Sequence, residues 1–362
     1  MKINFILPGY PVRPVGGFRV VYELANEMCM RGHELHITHA NSLKKAYINR
    51  SVLKSLKNEL AYLCYTIFNP SIHWVRVNPK ITLHYKKDIV ENKSVDADVV
   101  FATAWQTAEY VRNFPPEKGR KYYLVMDFDP FFAFRETLAE TWRYPMRLLC
   151  ISQWLCDKVK AYSGRDALLL PLGINKTFRK YKGITEREKT VAMMYSSAGY
   201  KDAGTGIKVM ELCMKNLPGV KCVLFGPKKT RPEGVPASID YKGSLSDDAL
   251  AGVYNSAAVF ISSSLAEGFA FPPAEAMACG CAVACTDCGG NRDFIENNVN
   301  ALVSKPGDVE QLYRNTEQLL KDGPLREKIA INGMKSIASF NWTKSADVFE
   351  RALMNINGPA AF

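Results

Sequence analysis

The sequence predicts a two-domain α/β protein with a parallel sheet in each half, and three observations lead there. The chain has 362 residues, whereas single cores stop growing at roughly 250 to 300. Short, continuously apolar runs alternate with longer amphipathic stretches, the pattern of strands covered by crossover helices. A loose polar stretch over residues 179–189 interrupts the alternation near the middle and marks a domain boundary.

The first apolar run, residues 3–7, is strand one. A loop through Gly9-Tyr-Pro leads to Gly16 and Gly17. A helix over about 18–31 follows, closed by Gly32 as a C-terminal glycine should close it. Further strands fall at 34–39, 99–102, 122–126 and 148–152, with Ser152 placed to cap a helix running through residue 160. Residues 168–178 make a strand and a turn. Beyond the boundary, strands at 191–195, 221–225, 259–262 and 282–285 alternate with helices at 206–216, 247–255, 273–279 and 309–321. A last helix, about 342–355, is placed to pack back on the first domain. The domains therefore read as 1–178 and 179–341.

Composition narrows the class. Hydrophobic residues at 47% and charged residues at 23% are ordinary for a soluble globular chain. No stretch reaches the ~18 uninterrupted apolar residues of a spanning helix, and the N-terminal apolar run is too short for a signal peptide. The expected location is the cytoplasm, where the ten cysteines read as free thiols. Cys279, Cys281, Cys285 and Cys288 cluster, but they lack paired Cys-x-x-Cys knuckles and a nearby histidine. They read as small buried residues rather than zinc ligands. His33, Glu34, His36 and His39 lack the His-Glu-x-x-His spacing. Strand alternation sends Glu34 and His36 to one face, His33 and His39 to the other. No metal is expected.

The net charge of +11 is uneven. Residues 1–172 hold 24 Lys/Arg against 16 Asp/Glu, and the remainder 23 against 20. Residues 43–87 carry nine basic residues and one acid, Glu59. Such a patch suits an anionic partner. Leu53, Leu56, Leu60 and Leu63 form a helical stripe there, with Lys54 and Lys57 off it and Tyr62, Tyr65 and Phe68 following. The stripe either lies on an anionic membrane surface or faces the core. The patch carries no nucleic-acid reading motif, and strand one lacks a Gly-x-Gly-x-x-Gly loop, so no nucleic-acid partner is expected.

The richest chemistry follows the apolar run 259–262. Glu267 and Gly268 sit in a loop, Pro272 and Pro273 suit a helix start, Glu275 falls in the first turn, and Gly280 ends the helix. Two carboxylates thus flank a loop at the carboxyl end of a strand, where open α/β sheets bind ligands. Free backbone N–H groups at a helix start attract phosphate or sugar hydroxyls. A carboxylate accepts hydrogen bonds from a vicinal diol such as a ribose. Alternatively, Glu275 complements only the helix dipole.

The run Ser264-Leu-Ala-Glu-Gly-Phe-Ala-Phe-Pro-Pro-Ala-Glu-Ala-Met-Ala-Cys-Gly280 resembles the E-x7-E signature of GT4-type glycosyltransferases of the GT-B fold. Thr286-Asp-Cys-Gly-Gly-Asn-Arg-Asp293, Asn300-Ala-Leu-Val-Ser-Lys-Pro-Gly-Asp308, Arg31-Gly-His-Glu34 and Pro171-Leu-Gly-Ile-Asn-Lys-Thr-Phe178 continue the likeness. It covers nearly the whole chain and is strongest from about 190 to 310. It implies two facing Rossmann-like domains with an interdomain cleft, a nucleotide-sugar donor in the second domain and a glycan acceptor in the first. By position, Glu267 contacts the donor sugar and Glu275 the ribose. Gly268, Phe269, Ala270 and Phe271 surround the sugar and phosphate, with Ser196 and Gly226 also in the donor site. Gly16 and Gly17 either bring backbone close to the reacting groups or form a tight turn.

The chain departs from the family pattern twice. Where relatives carry an Arg and a Lys for the diphosphate, it reads Tyr195-Ser-Ser-Ala-Gly-Tyr-Lys-Asp202, so Lys201 alone is assigned to the phosphates. Where many relatives carry an acceptor-side histidine, it reads Met126-Asp-Phe-Asp-Pro130. A polysaccharide-building branch resembles this acidic version. Asp127 and Asp129 are acceptor-site candidates, Asp129 orienting a hydroxyl or capping the next helix. Asp-Phe-Asp is also the metal-binding triplet of GT-A enzymes, a reading the second Rossmann domain and its own donor motif oppose. The resemblance implies retention at the anomeric carbon by front-side attack, with Glu267, Lys201 and Asp129 as the catalytic set. A lipid-linked acceptor would place the protein on the inner face of the plasma membrane. The competing classes are a nucleotide-sugar epimerase of the same fold and a non-catalytic carbohydrate-binding protein.

Overall fold

A computed structural model describes residues 1–12, 14–40, 62–65, 67, 72–89, 94–128 and 135–354. The first compact unit comprises the described residues up to 127, those of 135–172, and 342–354; Phe128 and residues 173–341 make up the second.

In the first unit seven strands form one sheet: β1 (Lys2–Pro8), β2 (Glu34–Ala40), β3 (Thr82–Lys86), β4 (Val99–Ala102), β5 (Arg120–Val125), β6 (Arg147–Cys150) and β7 (Leu168–Leu169). Their order is β3-β2-β1-β4-β5-β6-β7, all parallel. The helices between them are α1 (Gly16–Met30), α2 (Trp105–Val111), α3 (Arg135–Thr141) and α4 (Gln153–Ser163). Ser152 caps α4 by accepting from Leu155 N–H at 3.3 Å.

The second unit repeats the topology. Strands β8 (Thr190–Met194), β9 (Lys221–Phe225), β10 (Asp240–Tyr241), β11 (Val259–Ser262), β12 (Ala282–Thr286) and β13 (Leu302–Ser304) lie in the order β10-β9-β8-β11-β12-β13, again parallel. Its helices are α5 (Ala203–Asn216), α6 (Asp247–Ser256), α7 (Phe271–Ala278), α8 (Val309–Lys321) and α9 (Gly323–Ile337). Both units are thus Rossmann-like. In each, the strand order reverses between its first and fourth crossover partners, β1/β4 and β8/β11, and that gap is where this fold receives ligands.

The last helix, α10 (Trp342–Met354), belongs to the first unit. Phe349 stacks on Phe101 and Phe5 at 5.0 and 5.9 Å, and the Tyr122 hydroxyl donates to the Ala352 carbonyl at 3.2 Å. Arg31, just past α1, donates to Glu350 (2.7 Å), Asp347 (2.6 Å) and the Thr343 carbonyl (3.0 Å).

Several elements differ from the sequence reading. Helix α1 starts at Gly16, so Gly16 and Gly17 are helical, and neither has a positive φ. The tight-turn alternative therefore falls. Glycine at 17 instead permits close approach, since a Cβ there meets Met126 Cε at 3.3 Å. Helix α7 starts at Phe271, which moves Glu275 from the first turn into the second; the prolines occupy its second and third positions, where they cost no native hydrogen bond. Strand β3 was missed because an edge strand reading Thr-Leu-His-Tyr-Lys has no continuous apolar run.

The histidines are spoken for individually. His36 Nε2 meets Glu34 at 2.8 Å on a shared strand face, whereas His33 Nε2 meets Glu350 at 2.9 Å. His39 is wholly buried; its Nδ1 lies 2.9 Å from the Gly9 carbonyl and its Nε2 2.8 Å from the Tyr22 hydroxyl. A carbonyl can only accept, so Nδ1 carries the proton and Nε2 accepts from Tyr22. Burial pushes the His39 pKa down to about 4. Between its ordinary value of 6.5 and about 4, the unfolded chain binds a proton that the folded chain refuses. Stability therefore falls as pH drops through that window, by about 3 kcal/mol for His39 alone. His84, also held near 4 by burial and by His36, adds in the same direction. Denaturant melts of the wild type and His39→Gln at pH 7, 5.5 and 4.5 check this. The variant should start less stable at pH 7 and lose less on acidification; equal losses would show that His39 does not carry the effect.

Candidate functional site in the second unit

Three loops meet at the β8/β11 switch point, each leaving the carboxyl end of a neighbouring strand. The loop after β8 ends in a single 3-10 turn, Gly199–Lys201, and Asp202 then caps α5 from a left-handed conformation (φ 41°), accepting from Thr205 N–H at 3.4 Å. The loop after β11 carries Ser263, Ser264 and Glu267. The loop after β12 carries Asp287 to Asn291.

Hydrogen bonds stitch them together. Leu265 N–H donates to the Tyr200 carbonyl at 2.7 Å. The Ser263 hydroxyl donates to the Asp202 carbonyl at 2.8 Å, and Thr286 Oγ1 donates to the Ser264 carbonyl at 2.5 Å. Glu267 N–H donates to the Cys288 carbonyl at 2.9 Å, and Gly290 N–H returns to the Glu267 carbonyl at 3.1 Å. Glycine is required at 290, because a Cβ there would lie 2.5 Å from the carbonyl oxygens of both Glu267 and Gly268.

The stitching brings Lys201 and Glu267 into contact. Lys201 Nζ lies 2.5 Å from Glu267 Oε1, with only 14% and 9% of the two side chains exposed. The Ser264 hydroxyl donates to the same oxygen at 2.7 Å. Both donors converge on Oε1, so among the described residues Oε2 receives no hydrogen bond. Burial opposes the charge on Lys201, yet the Glu267 carboxylate outweighs it and holds the ammonium pKa above its ordinary value. A small pocket opens beside the pair, lined by Met193, Lys201, Ser263, Ser264, Glu267 and Pro272.

Backbone donors lie just beyond. The expected free N–H groups at the start of α7 are not there: Pro272 and Pro273 have none, Phe271 N–H bonds to the Phe269 carbonyl at 3.1 Å, and Ala274 N–H bonds to the Ala270 carbonyl at 3.4 Å. The donors sit one step earlier, because the N–H groups of Gly268, Phe269 and Ala270 bond to none of the described residues. Three successive unengaged N–H groups make an anion- or hydroxyl-binding concavity. The Phe269 ring packs on Phe271, Phe294 and Phe340 at 4.9, 5.3 and 6.2 Å and pins the loop to the core.

Glu275 is 7% exposed, and its Oε2 accepts from the Tyr254 hydroxyl at 3.0 Å. Ser196 turns inward on its own loop, accepting from Ala198 N–H at 3.2 Å. Gly226 is where β9 passes β8 closely, a Cβ there lying 2.5 Å from the Tyr195 carbonyl. In the first unit, Gly16 and Gly17 open α1 at the end of the loop that follows β1, with no side-chain cap and no acid in the first turn. Asp127 follows β5 and is exposed. Asp129 lies outside the described residues, as do Leu53, Leu56, Leu60 and most of the basic region. The four clustered cysteines are buried thiols, and burial pushes Cys279, Cys281 and Cys285 up to about 12.

Ser263, Ser264, Thr286 and Tyr254 were not singled out from the sequence. A small hydroxyl residue has no spacing signature of its own; only adjacency to Glu267 hinted at Ser264.

Residues 175–336 match the family profile described as Glycosyl transferases group 1. The serotype-specific mannosyltransferase WbdA of Escherichia coli is 31% identical over 121 residues, which are 32% of this chain and 14% of that protein. The O-antigen biosynthesis protein RfbC of Myxococcus xanthus is 23% identical over 273 residues, 73% of this chain and 21% of that protein. The chain thus spans a small part of the length of these curated relatives. Among solved structures, HepE of Anabaena in complex with UDP-glucose superposes with a TM-score of 0.75 at 15% identity, over 98% of this chain and 100% of that one. At that identity the likeness establishes the fold class, GT-B, with two Rossmann-like domains.

Because Gly290 lets the Glu267 loop close on the β12 loop, Gly290→Ala must push that loop outward. The expected cost is about 1–3 kcal/mol in a denaturant melt, with a matching fall in Tm. A variant as stable as the wild type would show that the contact yields without strain.

Proposed function

We propose that this chain transfers a sugar from a nucleotide-diphosphate sugar to a glycan acceptor, with retention at the anomeric carbon, in cell-surface polysaccharide synthesis. The observation that carries the proposal is the buried Lys201–Glu267 pair astride the β8/β11 switch point, beside three backbone N–H groups that bond to none of the described residues. A cation and N–H donors suit a leaving diphosphate; a carboxylate oxygen left open suits sugar hydroxyls and a ring that gains positive charge. Glu275, deeper in α7, is assigned the ribose.

Catalysis in this reading is positioning and electrostatics. The leaving diphosphate oxygen takes the acceptor proton during front-side attack, and Lys201 with the N–H groups of 268–270 stabilises the charge left behind. These groups supply the countercharge, so no metal is invoked. Lys201 stands without the Arg that relatives pair with it, which puts more of the phosphate on backbone donors. Gly16, Gly17, Asp127 and Asp129 are assigned to the acceptor. The names of WbdA and RfbC support a role in O-antigen-like polysaccharide synthesis, and UDP-glucose in HepE supports a nucleotide-sugar donor.

A thermal-shift screen of uridine-, guanosine- and adenosine-diphosphate sugars should raise Tm with the true donor. Glu267→Gln should then lower transfer by about 100-fold or more while keeping the fold. Glu267→Ala is the poorer probe, since it leaves Lys201 buried without its anion, a cost of roughly 3–5 kcal/mol. Near-normal transfer by folded Glu267→Gln would remove the assignment.

The acceptor is proposed to be lipid-linked, reached from an anionic membrane surface through residues 43–87. Leu63 (48%) and Ile67 (67%) are exposed in that region, whose sequence carries nine basic residues. No described helix is long and apolar enough to cross a membrane. Sedimentation with vesicles containing phosphatidylglycerol should pull the protein down at low salt and release it at high salt; no binding at low salt would defeat the membrane assignment.

A further inference from the structure

The two side chains that donate to Glu267 Oε1 are anchored differently. Ser264 precedes Glu267 by three residues on the same loop, and its hydroxyl donates to Oε1 at 2.7 Å. It is 4% exposed, and its carbonyl is held by Thr286 Oγ1 at 2.5 Å. The Glu267 backbone is fixed at both ends of its peptide unit by the Cys288 carbonyl and the Gly290 N–H. Backbone and one carboxylate oxygen of Glu267 are therefore held without Lys201.

Lys201 comes from the other side of the strand gap, on the loop after β8. Among the described residues that line the pocket, it is the one cation and Glu267 the one acid. An ammonium carries three N–H donors on a flexible stem. A diphosphate bears more charge than a carboxylate, so at this pocket it competes with Glu267 for that ammonium.

We propose that Lys201 changes partners, from Glu267 to the diphosphate of the donor, and that Ser264 is the positioning residue that holds Glu267 Oε1 when it does. The inference rests on the nucleotide-sugar reading above. With the lysine drawn away, Glu267 is a buried carboxylate beside an anion, and it keeps its charge and its place only if another donor bonds it. Two further groups face the pair. The Tyr200 ring flanks the lysine, 5.6 Å from Nζ. Burial and the Glu267 carboxylate push the Cys288 thiol well up, so it stays neutral and is at best a weak donor. The Ser264 hydroxyl is already on Oε1, which leaves Oε2 for sugar hydroxyls.

Calorimetry on the full chain tests this with UDP, GDP, ADP, CDP and dTDP, continuing with whichever binds most tightly. A nucleoside diphosphate brings the competing phosphates without the sugar. Glu267→Gln removes the competitor for Lys201 and should bind it about fivefold or more tightly than the wild type. Ser264→Ala should bind it about tenfold more weakly. At pH 6 that variant should also take up more protons on binding than the wild type, measured in buffers of different ionisation enthalpy. Both effects of Ser264→Ala should vanish in the Glu267→Gln background, because the serine acts through the carboxylate. Ser264→Cys fills the same space with a weak donor and should follow Ser264→Ala, which guards against a packing defect. A Glu267→Gln protein that binds no more tightly than the wild type overturns the change of partner. A Ser264→Ala loss that persists undiminished in the Glu267→Gln background belongs to the loop as a whole and overturns the positioning role. Either result, with a nucleotide bound, leaves the donor reading intact. Failure of the folded wild type to bind any of the five nucleotides overturns the donor reading and this inference together.

Discussion

The second unit is organised around one ion pair. Lys201 and Glu267 leave different strands, separated only by the gap at which the strand order reverses, and meet with most of both side chains out of water. Neither charge is tolerable there alone, so each holds the other's loop in place. The serine, threonine and backbone hydrogen bonds around them keep the two loops from separating. Lys201 feels this directly: the carboxylate more than offsets the penalty of burial, and its pKa rises.

The two units share a topology and furnish it differently. At the β8/β11 gap stand charges and hydroxyls. At the β1/β4 gap the helix begins with two glycines, and Thr103 Oγ1 donates to the Ile6 carbonyl at 2.7 Å. Buried around His39 are Tyr22, Phe18 and Tyr85. The same carboxyl-end geometry is therefore lined by charges and hydroxyls in one unit and by glycines and aromatic rings in the other, and the difference lies in side chains rather than in fold.

Two arginines, Arg187 buried and Arg165 half-buried, do structural work. Arg187 and Arg165 each bind several carbonyls; Arg165 takes those of Trp142, Tyr144 and Met146 at 2.9, 2.5 and 2.7 Å. Burial lowers the pKa of both, yet an arginine remains charged. A planar fork facing several carbonyl dipoles fixes chain ends that otherwise leave acceptors unpaired.

The sequence alone determined the layered α/β class, most strands, and the loop holding Glu267, because buried parallel strands are continuous apolar runs and the residues after them are local signals. Strands Val99–Ala102, Lys221–Phe225 and Val259–Ser262 coincide with their elements for that reason, and helix Val309–Lys321 does so through its amphipathic spacing. Edge strand β3 was illegible because polar residues interrupt it and only Tyr85 of its five side chains is buried. The functional partners of Glu267 and Glu275 were decided only in three dimensions. Ser264 was near in sequence but carried no signature, while Lys201 meets Glu267 across 66 residues and Tyr254 meets Glu275 across 21. Among the described residues, the N–H groups without a partner lie at 268–270 rather than at the helix start, since two prolines remove donors and Phe271 and Ala274 bond to the carbonyls of Phe269 and Ala270. Periodicity reports what a segment does with its own neighbours; a hydrogen bond between loops depends on where the sheet order places them.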